Sequence, residues 1–220
     1  MSIETIAVCI VFFASFAGLI YGVVNIITKK KALYIKMVAL AVACITISYL
    51  YYMLQIFTRG EMPVGFNVGM LGIIGCFLFL LSANYGQMDS LADDGTKKFA
   101  KYRFISLIAP IILAIIFIQV YFTDAEKPKI VSYTLVAIII MAASRFHLKH
   151  LIFPDVDFGV IRCIRGYNII ALILCVSTIF MMVADCADYM MVYLVSNIIM
   201  AGCCIVVLPV LKREVAKWTI

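Results

Sequence analysis

Charge is what this sequence has least of. Asp, Glu, Lys and Arg together make up 14% of its 220 residues, against 65% for hydrophobic types. A soluble domain is about a quarter charged and roughly half apolar, so an ordinary soluble domain is excluded. Histidine occurs only twice, at His147 and His150. A catalytic zinc site wants three protein ligands, and two histidines cannot supply them alone. None of the eight cysteines forms a CxxC pair, and Cys9, Cys44, Cys76, Cys175, Cys203 and Cys204 fall within apolar runs. There a thiol serves as a small hydrophobe, and no disulfide framework is needed.

What is present instead is a succession of apolar stretches about twenty residues long, the length that crosses a hydrocarbon core. Together with a mean hydropathy of +1.12 over the whole chain, they predict an all-α polytopic membrane protein. It is read as a single domain, 1–220, of seven transmembrane helices near 6–27, 35–57, 64–85, 104–122, 130–146, 160–183 and 189–211. The first run is too long for a cleaved signal peptide and is followed, not preceded, by basic residues, so it is expected to stay as a helix.

Basic residues give the orientation. Fifteen of the eighteen Lys and Arg, among them Lys29, Lys30, Lys31, Lys98, Arg103, Lys149 and Lys212, fall on one side of a seven-span chain. The other side holds Arg59, Lys127 and Lys129 against Glu4, Glu61, Asp124, Glu126, Asp185 and Asp188, so the balance is +9 against −3. An N-terminus outside and a cytoplasmic C-terminus follow, in the plasma (inner) membrane. The excess positive charge reads as a topology signal and an anchor for anionic headgroups, with no nucleic-acid partner expected.

Small residues recur at helical spacing. Gly65, Gly69, Gly72 and Cys76 are expected to form a ridge on span three, and Ala14, Gly18 and Gly22 one on span one. Such ridges let backbones approach closely. "ALAVACITIS" from Ala39 and "ALILCVSTIF" from Ala171 echo each other in the middle spans of the first and last triplets. That echo fits a three-one-three arrangement of parallel repeats. Pro110 is expected to kink or loosen span four.

Polar side chains inside the spans are the better functional clue, because each needs a partner where there is no water. Ser48, Tyr52 and Gln55 share a face of span two, and Tyr189, Tyr193 and Asn197 follow at four-residue steps in span seven. Ser82, Asn84, Tyr167 and Asn168 cluster near the opposite ends of their spans. The candidate ligand-binding residues are Gln55, Tyr52, Tyr193 and Asn197, bounding an outward-facing polar pocket. Between spans five and six, "SRFHLKHLIFPDVDFG" holds both histidines with Asp155 and Asp157 beyond Pro154. Neither aspartate is well placed to fold back, no HExxH pattern occurs, and Arg145 and Lys149 would repel a cation. The stretch is read as a solvated helix end and turn, with no metal, whose histidines could both become alanine at little loss.

Seven helices with the N-terminus outside resemble the topology of microbial rhodopsins. The last span has no lysine for a retinal Schiff base and span three no acidic counter-ion, so the resemblance ends with topology and implies no cofactor. Small sugar and vitamin facilitators are similar in size and layout, but their proline-glutamine repeat is absent. Membrane hydrolases built on three histidines are excluded by the count. A facilitator or binding protein for a small uncharged or weakly polar solute is the expected function. The alternative is a receptor or accessory subunit acting through a cytoplasmic or membrane protein partner. No acid, base and nucleophile converge in the sequence, so no enzyme is expected.

Overall fold

The computed structural model describes residues 2–85, 89, 93, 95–154 and 160–216, excepting the side chains of 160–163. The architecture is all-helical, with no strand among the described residues. The helices are α1 (Ile3–Gly22, continued by a π-helical turn, Val23–Ile27), α2 (Leu33–Arg59), α3 (Val68–Ala83), α4 (Ala100–Ile105), α5 (Ile108–Phe117), α6 (Lys127–Ile152), α7 (Val160–Cys186) and α8 (Met190–Ala216). A 3-10 turn, Lys97–Phe99, leads into α4, and another, Ile118–Phe122, follows α5.

Among the described residues, six helical segments are long and apolar enough to cross a membrane: Ile3–Ile27, Leu33–Arg59, Lys97–Phe122, Lys127–Ile152, Ile164–Cys186 and Met190–Ala216. The chain is a multi-pass membrane protein on that ground. The expected third span is shorter. Val68–Ala83 is apolar but has 16 residues, about 24 Å at 1.5 Å per residue, against a hydrocarbon core of about 30 Å.

Neighbouring pairs run α1–α2, α2–α3, α3–α6, α6–α7, α7–α8 and α8–α1, which closes a ring of six helices. Helix α5 lies outside it, against α6 and α7. The first and last triplets therefore occupy opposite halves of the ring.

Local chemistry explains the ends. Ser2 Oγ accepts from the Thr5 amide and Asn67 Oδ1 from the Met70 amide, each at 3.2 Å, starting α1 and α3. Gly60, at φ +80, closes α2 with its amide 2.9 Å from Ile56 O. The break between α4 and α5 lies at Ser106 and Leu107. Pro110 has no N–H for the Ser106 carbonyl four residues back, so the ladder loses a bond there.

The ridge on α1 packs as expected. A Cβ on Gly18 would lie 2.4 Å from the Cys204 carbonyl oxygen, and one on Gly22 would lie 2.8 Å from Leu208 Cδ1. On α3, a Cβ on Gly72 would meet Cys44 O and Ser48 Cβ at 2.7 Å. Gly65 is a correction: it precedes α3 at φ +80 and belongs to the turn, not the ridge. Thr46 and Thr178, equivalent in the two echoing stretches, both bond back to the carbonyl four residues earlier, at 2.9 and 2.7 Å.

The histidine stretch also needs correcting. Helix α6 continues to Ile152, and His147 and His150 are both 0% exposed. A helix need only end before the residue preceding a proline, and here Phe153, just before Pro154, is the first extended residue. Asp155 and Asp157 lie outside the described residues.

Candidate functional site: a tyrosine-lined cavity

At the Glu4 end of the ring, α6 begins three residues earlier than the hydropathy pattern indicates. Pro128 sits in its first turn, where a missing N–H costs no helical bond. That start places Lys129 and Tyr133 one turn apart on the same face. Helix α7 likewise runs on to Cys186, carrying Asp185 in its last turn. Lys129 Nζ is 2.8 Å from Asp185 Oδ2 and donates to the Asp185 carbonyl at 3.2 Å. The Tyr133 hydroxyl donates to the same carboxylate oxygen. Both charged side chains keep some exposure, 27% and 14%, so the ion pair is partly screened.

Across the ring, the Tyr49 hydroxyl donates to Asn197 Oδ1 at 2.8 Å, and Asn197 Nδ2 donates to Tyr193 O at 2.8 Å. Tyr49 and Tyr52 meet edge to face, with centroids 5.8 Å apart. Ser48 Oγ donates to Gly69 O at 2.6 Å. A Cβ on Gly69 would stand 2.3 Å from Tyr52 Cζ, so the bare glycine leaves room for the hydroxyl end of that ring against α3. These contacts enclose a cavity of about 80 Å³, whose wall includes Tyr49, Tyr52, Tyr133, Tyr193, Lys129 and Asp185, with Glu4 at its edge.

Of the four candidates named from sequence, Tyr52 and Tyr193 stand on the wall. Asn197 is fully buried and ties Tyr49 to α8 without lining the cavity. Gln55 is half-buried and also outside the lining. Lys129 and Asp185 fall outside the fifth and sixth spans as hydropathy bounds them, Glu4 enters the sequence argument only through the charge balance, and nothing in the sequence sets Tyr49 or Tyr133 apart from the other span tyrosines. Pro128 was the available signal for the earlier start of α6.

Asn197→Leu is expected to leave the Tyr49 hydroxyl buried without its acceptor. Interhelical hydrogen bonds in membranes average about 0.6 kcal/mol and reach about 1.7, and an orphaned buried hydroxyl adds to that loss. A drop of about 1–2 kcal/mol in thermal unfolding is expected, with Tyr49→Phe together with Asn197→Leu recovering part of it. Full wild-type stability in the single variant would refute this assignment.

A second polar cluster lies at the opposite end. Asn84 Nδ2 donates to Asn168 Oδ1 at 2.9 Å, and His147 Nδ1 lies 2.7 Å from the first and 2.9 Å from the second. Asn168 is anchored by its own Nδ2 bond to Ile164 O at 3.0 Å. His150 Nε2 is 3.2 Å from Asp89 Oδ1, which also takes Lys149 Nζ at 2.6 Å. Lys149 reaches Asp93 Oδ2 at 2.8 Å, and Arg103 grips Asp93 with two bonds of 2.6 and 2.7 Å. Replacing both histidines with alanine would therefore empty two buried positions and strip Asn168 and Asp89 of partners, contrary to the harmless outcome read from sequence. Among the described residues, no three His, Cys, Asp or Glu are grouped to hold a metal ion.

Asp89 and Asp93 both have carboxyls below the ordinary range. Burial pushes Asp89 up, but hydrogen bonds from His150 and Lys149 outweigh it. For Asp93 the Arg103 hydrogen bond dominates, aided by Lys149. A hollow of about 590 Å³ between α7 and α8 is larger than the tyrosine cavity, but it is walled almost wholly by apolar side chains such as Leu172, Phe180 and Ile199. It offers little that could orient a polar ligand.

No family model, curated protein or solved structure matches this chain.

Proposed function

We propose that this multi-pass membrane protein binds a small solute in the tyrosine-lined cavity and acts as its facilitator or binding protein. The observation that carries the reading is that cavity: enclosed by six helices, large enough for a few heavy atoms, and edged with hydroxyls and a closed ion pair. The scarcity of charge within the spans, taken by itself, points to a small uncharged or weakly polar solute. The two polar clusters lie at opposite ends, and a void of only about 10 Å³ among Ile45, Cys76, Leu174, Cys204 and their neighbours separates them. A facilitator would open each end in turn across that apolar middle, and the two triplets on opposite halves of the ring supply bodies that could rock. The proposal assigns the chain no chemical step.

The test is flux of solutes of three to eight heavy atoms into proteoliposomes. Flux above protein-free vesicles, abolished by Tyr193→Trp filling the cavity, is the expected result. Absence of flux for every solute, with wild type and variant alike, would overturn facilitation.

The receptor or accessory-subunit reading is favoured by one specific feature. Helices α6 and α7 carry Lys129, Tyr133 and Asp185 at one end and His147, Lys149 and Asn168 at the other. Lys129 and Lys149 are twenty residues apart, about 30 Å along a helix, or one hydrocarbon thickness. An occupied cavity could thus be felt at the opposite face, where a cytoplasmic partner would read it. Co-purification of a stable partner without solute flux would support this second reading.

Orientation is part of the proposal: Glu4 outside and Lys212 in the cytoplasm of a plasma (inner) membrane, from the basic asymmetry. Single cysteines at Glu61 and Ala125 should label from outside intact cells, and one at Lys30 should not. The reverse pattern would invert the assignment.

A further inference from the structure

We propose that the solute is a compact organic ammonium cation, in place of the uncharged or weakly polar solute that the scarcity of charge within the spans indicates by itself; the inference rests on the tyrosine cavity being the binding site. Three formal charges stand on its wall: Glu4, Lys129 and Asp185. Lys129 and Asp185 neutralise each other at 2.8 Å, and Asp185 is further occupied by the Tyr133 hydroxyl. Glu4 is different. Among the described residues, no basic side chain lies within 4 Å of it and no hydrogen bond reaches its carboxylate. The wall therefore carries one uncompensated negative charge.

Four tyrosine rings complete the surroundings. Tyr49, Tyr52, Tyr133 and Tyr193 are at most 8% exposed and come from three helices, α2, α6 and α8. Aromatic rings around a small space attract a cation through the quadrupoles of the faces they present to it, the arrangement used to recognise quaternary ammonium groups. The Tyr52 ring is held against Gly69 and perpendicular to the Tyr49 ring, so the box is pre-organised instead of collapsing on itself. Met62, Met70 and Met181 add polarisable thioethers to the wall. Calcium and magnesium prefer shells of six or more oxygens, whereas here Asp185 is paired with Lys129 and the Tyr49 and Tyr133 hydroxyls are already engaged.

Size supports the same class. A water needs roughly 10–15 Å³ of such space, and the cavity offers about 80 Å³. That corresponds to about five to eight non-hydrogen atoms. Tetramethylammonium has five, and tert-butanol has five in nearly the same shape without the charge.

The test measures binding of these two probes to the purified full-length protein in nanodiscs by calorimetry, at constant ionic strength with sodium chloride as the balancing salt. Tetramethylammonium is expected to bind at least tenfold more tightly than tert-butanol. Glu4→Gln should weaken tetramethylammonium about tenfold and leave tert-butanol unchanged. Tyr52→Phe, which keeps the ring face, should retain binding, whereas Tyr52→Leu should lose it. Equal or tighter binding of the alcohol, or competition by sodium as strong as that of tetramethylammonium, would overturn the ammonium assignment and leave the cavity as a site for another solute. Binding of neither probe by folded protein would overturn the assignment and, with no flux for any solute, the facilitator reading as well.

Discussion

Gly18→Val is expected to prevent the protein from assembling as a stable, monodisperse particle. The first added carbon would sit 2.4 Å from the Cys204 carbonyl oxygen and 3.3 Å from Val42 Cγ1. The nearer obstacle is backbone, which cannot rotate aside, so α1 must move away from α8 by about 1 Å. Overpacking of this kind costs typically about 1–3 kcal/mol, occasionally more. Here it also opens the ring on which the cavity depends. Gly202→Ala on α8 is the matched control, because a Cβ there meets nothing within 4 Å. It should be neutral or stabilise by up to about 1 kcal/mol through helix propensity. Size-exclusion profiles and thermal unfolding of the two variants make the comparison, and equal behaviour would defeat the close-approach argument.

Lys149→Met is expected to be the most damaging single change in the polar cluster. Its ammonium bridges Asp89 and Asp93 at 2.6 and 2.8 Å while only 8% exposed. Removing one partner of a buried pair costs about 3–5 kcal/mol. Asp89 keeps 21% exposure and His150, and Asp93 keeps Arg103, so about 2–3 kcal/mol is the expected loss once solvent screening is allowed for. Asp89→Asn in the same background should restore part of it.

The acid dependence has a definite sign. Both carboxyls are lowered in the folded state, so their stabilisation is present above the unfolded value near 3.9 and is lost as pH falls through the folded values. Wild-type stability should therefore fall with acid below about pH 4, and Lys149→Met should flatten that fall. An unchanged acid profile in the variant would show that Lys149 does not hold these carboxylates.

Much of the fold was legible because membrane insertion reads local properties. Apolar run length located all the long helices, and small-residue spacing on α1 marked where a neighbouring backbone approaches. Boundaries were less legible. Hydropathy falls off at Ile130, Phe146 and Val183, but backbone hydrogen bonding carries α6 and α7 on to Lys127, Ile152 and Cys186. Those few residues are where the chemistry lies: Lys129, His147, Lys149, His150 and Asp185 all look like loop when the helix is ended too soon. Pro128 and Pro154 were the local marks of the true ends, one fitting a first turn and the other forbidding continuation.

The sequence by itself determined that this chain is membrane-embedded and helical and that its spans carry few charges, because the cost of placing unpaired polar groups in hydrocarbon applies residue by residue. Only the tertiary structure decided which polar groups meet. Asn197 had to point inward in any fold, but its partner Tyr49 lies 148 residues away, and Asn84, His147 and Asn168 come from three helices. Such meetings depend on the rotation and depth of each helix against its neighbours. Close packing at Gly18, Gly69 and Gly72 sets those, and no single helix encodes them.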